Sequence, residues 1–453
     1  MHLPNYFIAD LPPEATLTPT MLEEACQTLK RNRDRYLASR TTASLIRILS
    51  DVAENWLLPD YPFRKLALEH GPHATGFATM TLANGLDAFF REITDAKVRL
   101  FLAQELGHAQ RLDGFNATQA DAAAQRTALV NGPEFIFHIA GGRLPNPVFT
   151  SIILGLLTRS AQFVKCASHA SFLPRLFAHS LYDADAKLGA CLEIAEWRGG
   201  SAHLETPLFK EADCVTATGD DETLTEIRKH VPVKARFLGY GQRASFGYIA
   251  HEALGGFHPK KIAARAASDI VAWNQLGCLS PHVIYVEHGG AMTAEHFAEL
   301  LAQELARREE SEPRGALPAD SAAVIASKRA FYEVRAAHLP DTRHWCSENS
   351  TAWTVIYEAD SRFQLSCLNR FIYVKGAANL TEALQGADSI RGKVSTVGLA
   401  ATEDKAPALA EQLARWGVTR ICPLGKMQEP SLLWRHDGRP SLCDLVTWTD
   451  WEF

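Results

Sequence analysis

The stretch from Glu134 to Ser168, EFIFHIAGGRLPNPVFTSIILGLLTRSAQFVKCAS, decides how this chain is built. EFIFHIA is an apolar run of strand length, closed by the turn-forming GGRLPNP. VFTSIILGLLTRS has the length and pattern of a helix, and AQFVKCA is a second short apolar run. Strand, helix and strand in that order predict a parallel pair with its crossover helix on one face. Downstream the rhythm continues. A long helical stretch is expected over 173–197, then a strand at ADCVTATG, a helix at DDETLTEIRKHV opened by Asp220, and a strand at PVKARFLGYG. A second series is read after Gly256. Its helix KIAARAASDIVAWNQ leads to Cys278, then to strand HVIYVE and helix AEHFAELLAQELARREE. EESEPRGALPADS, charged and broken by proline and glycine, is a surface connection. Strands at AWTVIYEA, RFIYVK, KVSTVGLA and VTRICPLG follow. Upstream, residues 18 to about 130 keep apolar residues at helical spacing, with Thr18 and Thr20 as candidate caps.

The expectation is therefore an α/β chain with two α/β domains and a helical N-terminal region. The first domain is placed at 1–248, its α/β part at 131–248, the second at 249–430, and a C-terminal segment at 431–453. A chain of 453 residues is long enough for two cores. Hydrophobic residues make up 47% and charged residues 22%, an ordinary globular balance. The net charge of −6 gives no reason to expect nucleic acid or an anionic membrane surface as a partner. The longest apolar runs fall well short of the ~20 residues of a membrane span. The N-terminus lacks a basic start followed by an apolar run, so no secretory leader is expected and a cytoplasmic location is. The nine cysteines include no C-x-x-C pair, and the histidines no H-E-x-x-H, so no metal site is expected.

Each candidate motif carries an ordinary alternative. Gly239-Tyr-Gly241-Gln-Arg-Ala244 matches a G-x-G-x-x-A dinucleotide fingerprint. The acidic ribose partner expected ~20 residues on is missing, however, and SFGYIAHEAL does not open a clear helix. Asn146 stands between a strand end and a helix start, where it donates to an oxyanion or merely caps the helix. Lys165 ends the next strand and Ser168 follows three residues later. The pair suits ribose hydroxyls or a phosphate, or is simply solvated. Gly219 and Asp220 form a nucleotide turn or an ordinary N-cap. Cys278, with Gly277 before it and Pro281 after, is a nucleophile at a domain cleft or a packed thiol.

Taken together, FHIAGGRLPNPVFTSIILGLLTRSAQFVKCAS, VTATGDDETLTEIRKHVP, NQLGCLSPHVIYVE, GKVSTVGLA and PLGKMQEPSLLWRHDGRPSLCDLVTWTDWE resemble the acyl-CoA reductase (LuxC-type) family. These are the reductase components of a bacterial fatty acid reductase, within the aldehyde dehydrogenase superfamily. The likeness runs from about residue 105 to the C-terminus. It implies an aldehyde dehydrogenase-like fold, with a Rossmann-like cofactor domain and a catalytic domain. It also implies NADPH (NADP) as cofactor, an acyl-CoA or acyl-protein substrate, an acyl-protein synthetase partner and a homo-oligomer. Carried over by position, Cys278 falls on the superfamily's nucleophile and Asn146 on its oxyanion donor. Lys165 and Ser168 fall on the ribose or 2′-phosphate edge, Gly219 and Asp220 beneath the pyrophosphate. One departure stands out. The segment that bears a glutamate in hydrolysing relatives reads Phe237-Leu238-Gly239-Tyr240-Gly241, without an acid. That favours reduction of an acyl thioester to an aldehyde over its hydrolysis. Reduction of an acyl phosphate, or a non-catalytic nucleotide-binding subunit, are the other readings.

Overall fold

The computed structural model describes residues 3–12, 14–255 and 258–453. Gly256, from which the second series is expected to run, lies outside the described residues. The N-terminal region is helical as expected, with helices Pro19–Asn32, Thr42–Leu57, Pro62–Thr75, Thr79–Phe90 and Asp95–Leu106. Thr18, Thr41 and Thr94 each cap the following helix by accepting a backbone N–H.

The first strand, β1 (Arg126–Asn131), does not join the main sheets. Five strands then form a wholly parallel sheet: β2 (Phe135–Ala140), β3 (Ala161–Cys166), β4 (Leu192–Glu196), β5 (Cys214–Thr218) and β6 (Arg236–Tyr240). Their order is β4-β3-β2-β5-β6, so the chain winds first to one side of β2 and then to the other. β4 corrects the expectation of one helix to residue 197. The helix Phe172–Ala184 ends where Asp185 turns to extended backbone and caps the short helix Ala186–Gly189. Leu192 and Ile194 then bury themselves at the sheet edge.

A second sheet holds β7 (Ala244–Ile249), β8 (Pro281–Glu287), β9 (Thr342–Cys346), β10 (Thr354–Glu358), β11 (Phe371–Ala377), β12 (Val394–Ala400) and β13 (Arg420–Pro423). Its order is β13-β12-β7-β8-β11-β10-β9, parallel except for β9. The chain passes between sheets from Tyr240 to Ala244, so the expected 248/249 junction falls inside β7. β7 also disposes of the G-x-G-x-x-A reading, because Ala244 opens a strand of the other sheet and not a phosphate-binding helix. Side chains alternate along β7. Phe246 and Tyr248 join one core with Tyr285, Tyr373 and the helix Ala319–His338, while Ile249 joins the other with the helices Pro259–Val271 and Ala294–Ser311. The last strand, β14 (Thr447–Glu452), returns to pair antiparallel with β1. Among the described residues no helix is long and apolar enough to cross a membrane.

The N-terminal helices reach the second sheet through Gly85, whose missing side chain makes room for the Trp273 indole. Trp273 is buried and meets Phe77 edge-on at 5.2 Å. A helical Gly→Ala change ordinarily stabilises by about 1 kcal/mol. Here a methyl would overlap the indole, so Gly85→Ala is expected to destabilise the chain by about 1–3 kcal/mol. Chemical denaturation of the two proteins measures this, with a stabilised variant as the contrary result.

Candidate active site

The loop that carries Cys278 starts from unusual backbone. Trp273, Asn274 and Gln275 have φ of 49°, 51° and 65°, three successive left-handed residues with no glycine among them. A second left-handed run, Leu368, Asn369 and Arg370 (φ 60°, 54° and 66°), precedes β11, the neighbour of β8. The two runs brace each other. Asn369 N donates to Asn274 O at 2.9 Å, Arg370 Nε donates to Asn274 Oδ1 at 3.1 Å, and Asn274 Nδ2 donates to Arg314 O at 2.8 Å. Gln275 Nε2 donates to Pro281 O at 2.6 Å and to Phe371 O at 3.0 Å, pinning both ends of the cysteine loop to the sheet. No glycine announces this turn in the sequence; the only local hints are Asn274 and Asn369, since asparagine takes left-handed backbone more readily than most residues.

Cys278 lies half-buried at the amino end of β8. Ser245 Oγ, on β7, donates to its carbonyl at 2.7 Å. Gly277 faces the GGRLPNP turn, where a Cβ would lie 3.1 Å from Leu144 Cδ1. The turn that presents Asn146 is thus packed on the cysteine loop. Asn146 does not cap its helix: Pro145 occupies the cap position, and the buried Asn146 Oδ1 has no hydrogen-bond partner among the described residues. Burial pushes the Cys278 thiol up to about 11, and the Asp437 carboxylate adds to the rise. The Ser395 hydroxyl and Arg243 oppose it.

Over the first sheet, the carboxyl ends of β2 and β5 flank the point where the strand order reverses, the place where open α/β sheets take ligands. Gly141 comes so close to Thr218 O that any side chain there would overlap it. Lys165 is buried at the end of β3 without an ion pair among the described residues, its Nζ lying 3.7 Å from where a Gly199 Cβ would be. Burial lowers its ammonium pKa, with Glu205, Cys166 and Glu196 acting against that. Ser168 is exposed in the turn after β3, held in place by Glu196, which accepts from His169 N and Ser171 N. Gly219 N donates to Tyr240 O at 3.2 Å. Asp220 caps the helix Asp221–His230 through Thr223 N at 2.7 Å, the ordinary alternative for that residue. Bare backbone and an unpaired buried ammonium at this edge fit an anionic dinucleotide. The capping carboxylate of Asp220 does not fit a phosphate placed directly over it.

Two groupings escaped the sequence. Asp437, from the C-terminal tail, is a buried carboxylate whose charge adds to the rise of the Cys278 thiol, although the 237–241 segment has no acid. His251, Glu252 and Glu287 place three potential ligand atoms within 4.8 Å of one another, with Lys405 already paired to Glu252 at 2.8 Å.

The fold is that of aldehyde dehydrogenases. It superposes on proline utilization A with a TM-score of 0.73 (13% identity, 96% of this chain and 45% of that one). It superposes on the NADP-dependent glyceraldehyde-3-phosphate dehydrogenase of Bacillus halodurans, solved with NADP, with a TM-score of 0.69 (14% identity, 96% and 92%). The family model for acyl-CoA reductases (LuxC) matches residues 37–448, and the chain belongs to that family. Among its relatives are the long-chain acyl-protein thioester reductases of Aliivibrio fischeri (26% identity over 326 residues) and Vibrio harveyi (23% over 318 residues). Each match covers 70% of this chain and 63% of the relative, so the chain spans under two thirds of their length.

A thiol pushed up to about 11 is almost wholly protonated at neutral pH. Without ligands, Cys278 is expected to react with iodoacetamide at pH 7.5 on the order of 10²-fold more slowly than a free cysteine of pKa ~8.5. Mass spectrometry of the Cys278 peptide after timed labelling reads this directly. Free-cysteine reactivity there would mean that the thiol is not held in its protonated form.

Proposed function

We propose that this chain reduces a fatty acyl thioester, presented as acyl-CoA or on an acyl-protein, to the aldehyde with NADPH. The observation that carries the reading is the packing of the Asn146 turn on the Cys278 loop. Gly277 in the cysteine loop meets Leu144 in that turn, and the Asn146 side-chain oxygen is free of hydrogen-bond partners among the described residues. Family membership and the names of the long-chain acyl-protein thioester reductases support the fatty acyl class. An acyl-protein synthetase is the corresponding proposed partner.

Cys278 attacks the thioester carbonyl and holds the acyl group as its own thioester, expelling the substrate's thiol. The Asn146 amide and the Cys278 backbone N–H stabilise the oxyanion, each donor contributing roughly 3 kcal/mol. Lys165 and Ser168 hold the adenosine ribose or its 2′-phosphate. Gly219 leaves room for the pyrophosphate, and Asp220 fixes that turn as its cap. When bound, the nicotinamide supplies the hydride.

Cys278→Ser is expected to bind NADPH normally and form no aldehyde. Asn146→Ala is expected to slow acyl transfer by about 10²-fold with cofactor affinity unchanged. Coupled NADPH oxidation across acyl-CoA chain lengths, with cofactor titration by fluorescence, checks both. Near-normal turnover by the serine variant would end this reading.

Lys165→Ala is expected to raise the Michaelis constant more for NADPH than for NADH, since one lost charge-assisted contact is worth about 1.5–3 kcal/mol. Equal effects on both would assign the lysine to ribose hydroxyls instead.

A further inference from the structure

The reaction above leaves residues 425–429, just beyond β13, without a role, yet they are fixed from both sides. On one side Asp269, buried in the helix Pro259–Val271, accepts from Gly425 N at 2.6 Å and from Met427 N at 2.9 Å. On the other Arg420, which opens β13, donates from Nη1 to Met427 O at 2.7 Å and from Nη2 to Lys426 O at 2.9 Å. Gly425 sits at φ 92° against the same helix, where a Cβ would come within 2.8 Å of Arg265 Cβ. The segment so held delivers Gln428 to the cysteine loop. Gln428 Nε2 donates to Ser280 Oγ at 2.6 Å, and Gln428 Oε1 lies 3.5 Å from where a Gly277 Cβ would be. Those two residues are the ends of one turn, because Ser280 N donates to Gly277 O at 2.9 Å. Cys278 is the second residue of that turn. Ser280 is fully buried, and Gln428 is the one hydrogen-bond partner of its hydroxyl among the described residues.

We infer that Gln428 is a positioning residue for Cys278, acting through Ser280 to hold the turn in the one conformation that aims the thiol. The inference rests on Cys278 being the nucleophile. Three supports then define the turn. Gln275 bonds Pro281 O just beyond it, Ser245 Oγ bonds Cys278 O from β7, and Gln428 closes it from the tail. Of the three, only Gln428 bonds a side chain of the turn itself. The peptides of a turn can rotate while its ends stay in place. Such rotation would carry the Cys278 N–H and the thiol off the carbonyl they must meet together, and reaction rate falls steeply with that misplacement. An amide bonded to Ser280 and lying against Gly277 opposes the rotation at both ends. The support is itself preorganised, because Asp269 lies on the helix that leads into the cysteine loop. One rigid element therefore carries the loop and holds the segment that braces it.

Gln428→Met keeps the length of the side chain and removes the amide. The first readout is the burst of CoA released when acyl-CoA acylates Cys278 without NADPH. Its maximal rate is expected to fall by about 10-fold, the scale of one lost hydrogen bond. The acyl-CoA concentration giving half that rate, the NADPH affinity and the melting temperature are expected to stay unchanged, because the contact acts on orientation and not on binding. Ser280→Ala is expected to lose as much, and the double variant no more than either alone, since all three remove one and the same contact. The second readout is alkylation of Cys278 by iodoacetamide at pH 7.5. A released turn leaves the thiol less buried, so alkylation is expected to speed up several-fold in each variant while acylation slows. An unchanged burst in Gln428→Met, additive losses in the double variant, or a loss matched by falling NADPH affinity and melting temperature overturns the inference. So does alkylation that stays the same or slows. If Gln428→Met does not fold, Ser280→Ala decides alone by the same two readouts. An unaltered chain that releases no CoA, with the alkylation gain present in the variants, would count against the proposed substrate and for the Gln428–Ser280 contact, which alkylation reads without substrate.

Discussion

The site depends on one local constraint, the pair of left-handed turns at Trp273–Gln275 and Leu368–Arg370. Left-handed backbone costs a residue other than glycine roughly 1–2 kcal/mol, so three in succession persist only where surrounding structure holds them. Here each turn is the other's support. Asn274 bonds the second turn through backbone and side chain, and Gln275 ties the loop to the starts of β8 and β11. Trp273, seated over Gly85, anchors the same turn to the N-terminal helices. Cys278 follows three residues after this brace, so its position is set by rigid neighbours on both sheet and helix.

The tail closes the site from the other direction. Arg236, at the start of β6, donates from Nη1 to Asp444 O at 2.7 Å and Val446 O at 2.8 Å, and β14 pairs with β1. Before these fixed points the segment from Trp434 to Arg439 lies across the join of the two sheets. Trp434 meets His436 at 4.8 Å, and the Arg420 guanidinium lies 5.7 Å over the Trp434 ring. The Asp437 carboxylate is thereby held away from water near Arg243, whose Nη2 stands 3.3 Å from Oδ2.

Much of the architecture was legible from periodicity alone. Apolar runs of strand length at β2, β3, β5, β6, β8, β10, β11, β12 and β13, separated by helical patterns, defined an α/β chain with two sheets. β4 was hidden because LEIAE follows a helix closely and carries no turn residue strong enough to mark the break, and the capping role of Asp185 becomes visible only in three dimensions. β7 was hidden by its glycine-bearing approach, which imitates a nucleotide fingerprint. What excludes that reading is the pairing of Ala244–Ile249 between β8 and β12.

The site divides in the same way. Cys278, Asn146 and Lys165 stood out because each sits where a strand meets a turn, and short-range pattern suffices to locate strand ends. That Asn146 leaves its helix uncapped, that Lys165 is buried without an ion pair among the described residues, and that Asp220 does act as a cap were decided by packing. Asp437 could not be placed at all, because 159 residues separate it from Cys278 (437 less 278). Local sequence determines local backbone preference, and hence the strands, the helices and the turns between them. Where the tail carboxylate Asp437 is buried is settled by long-range contacts, here the stacking of His436 on Tyr240 and the bond from Arg439 to Gly239, and these exist only once both sheets have formed.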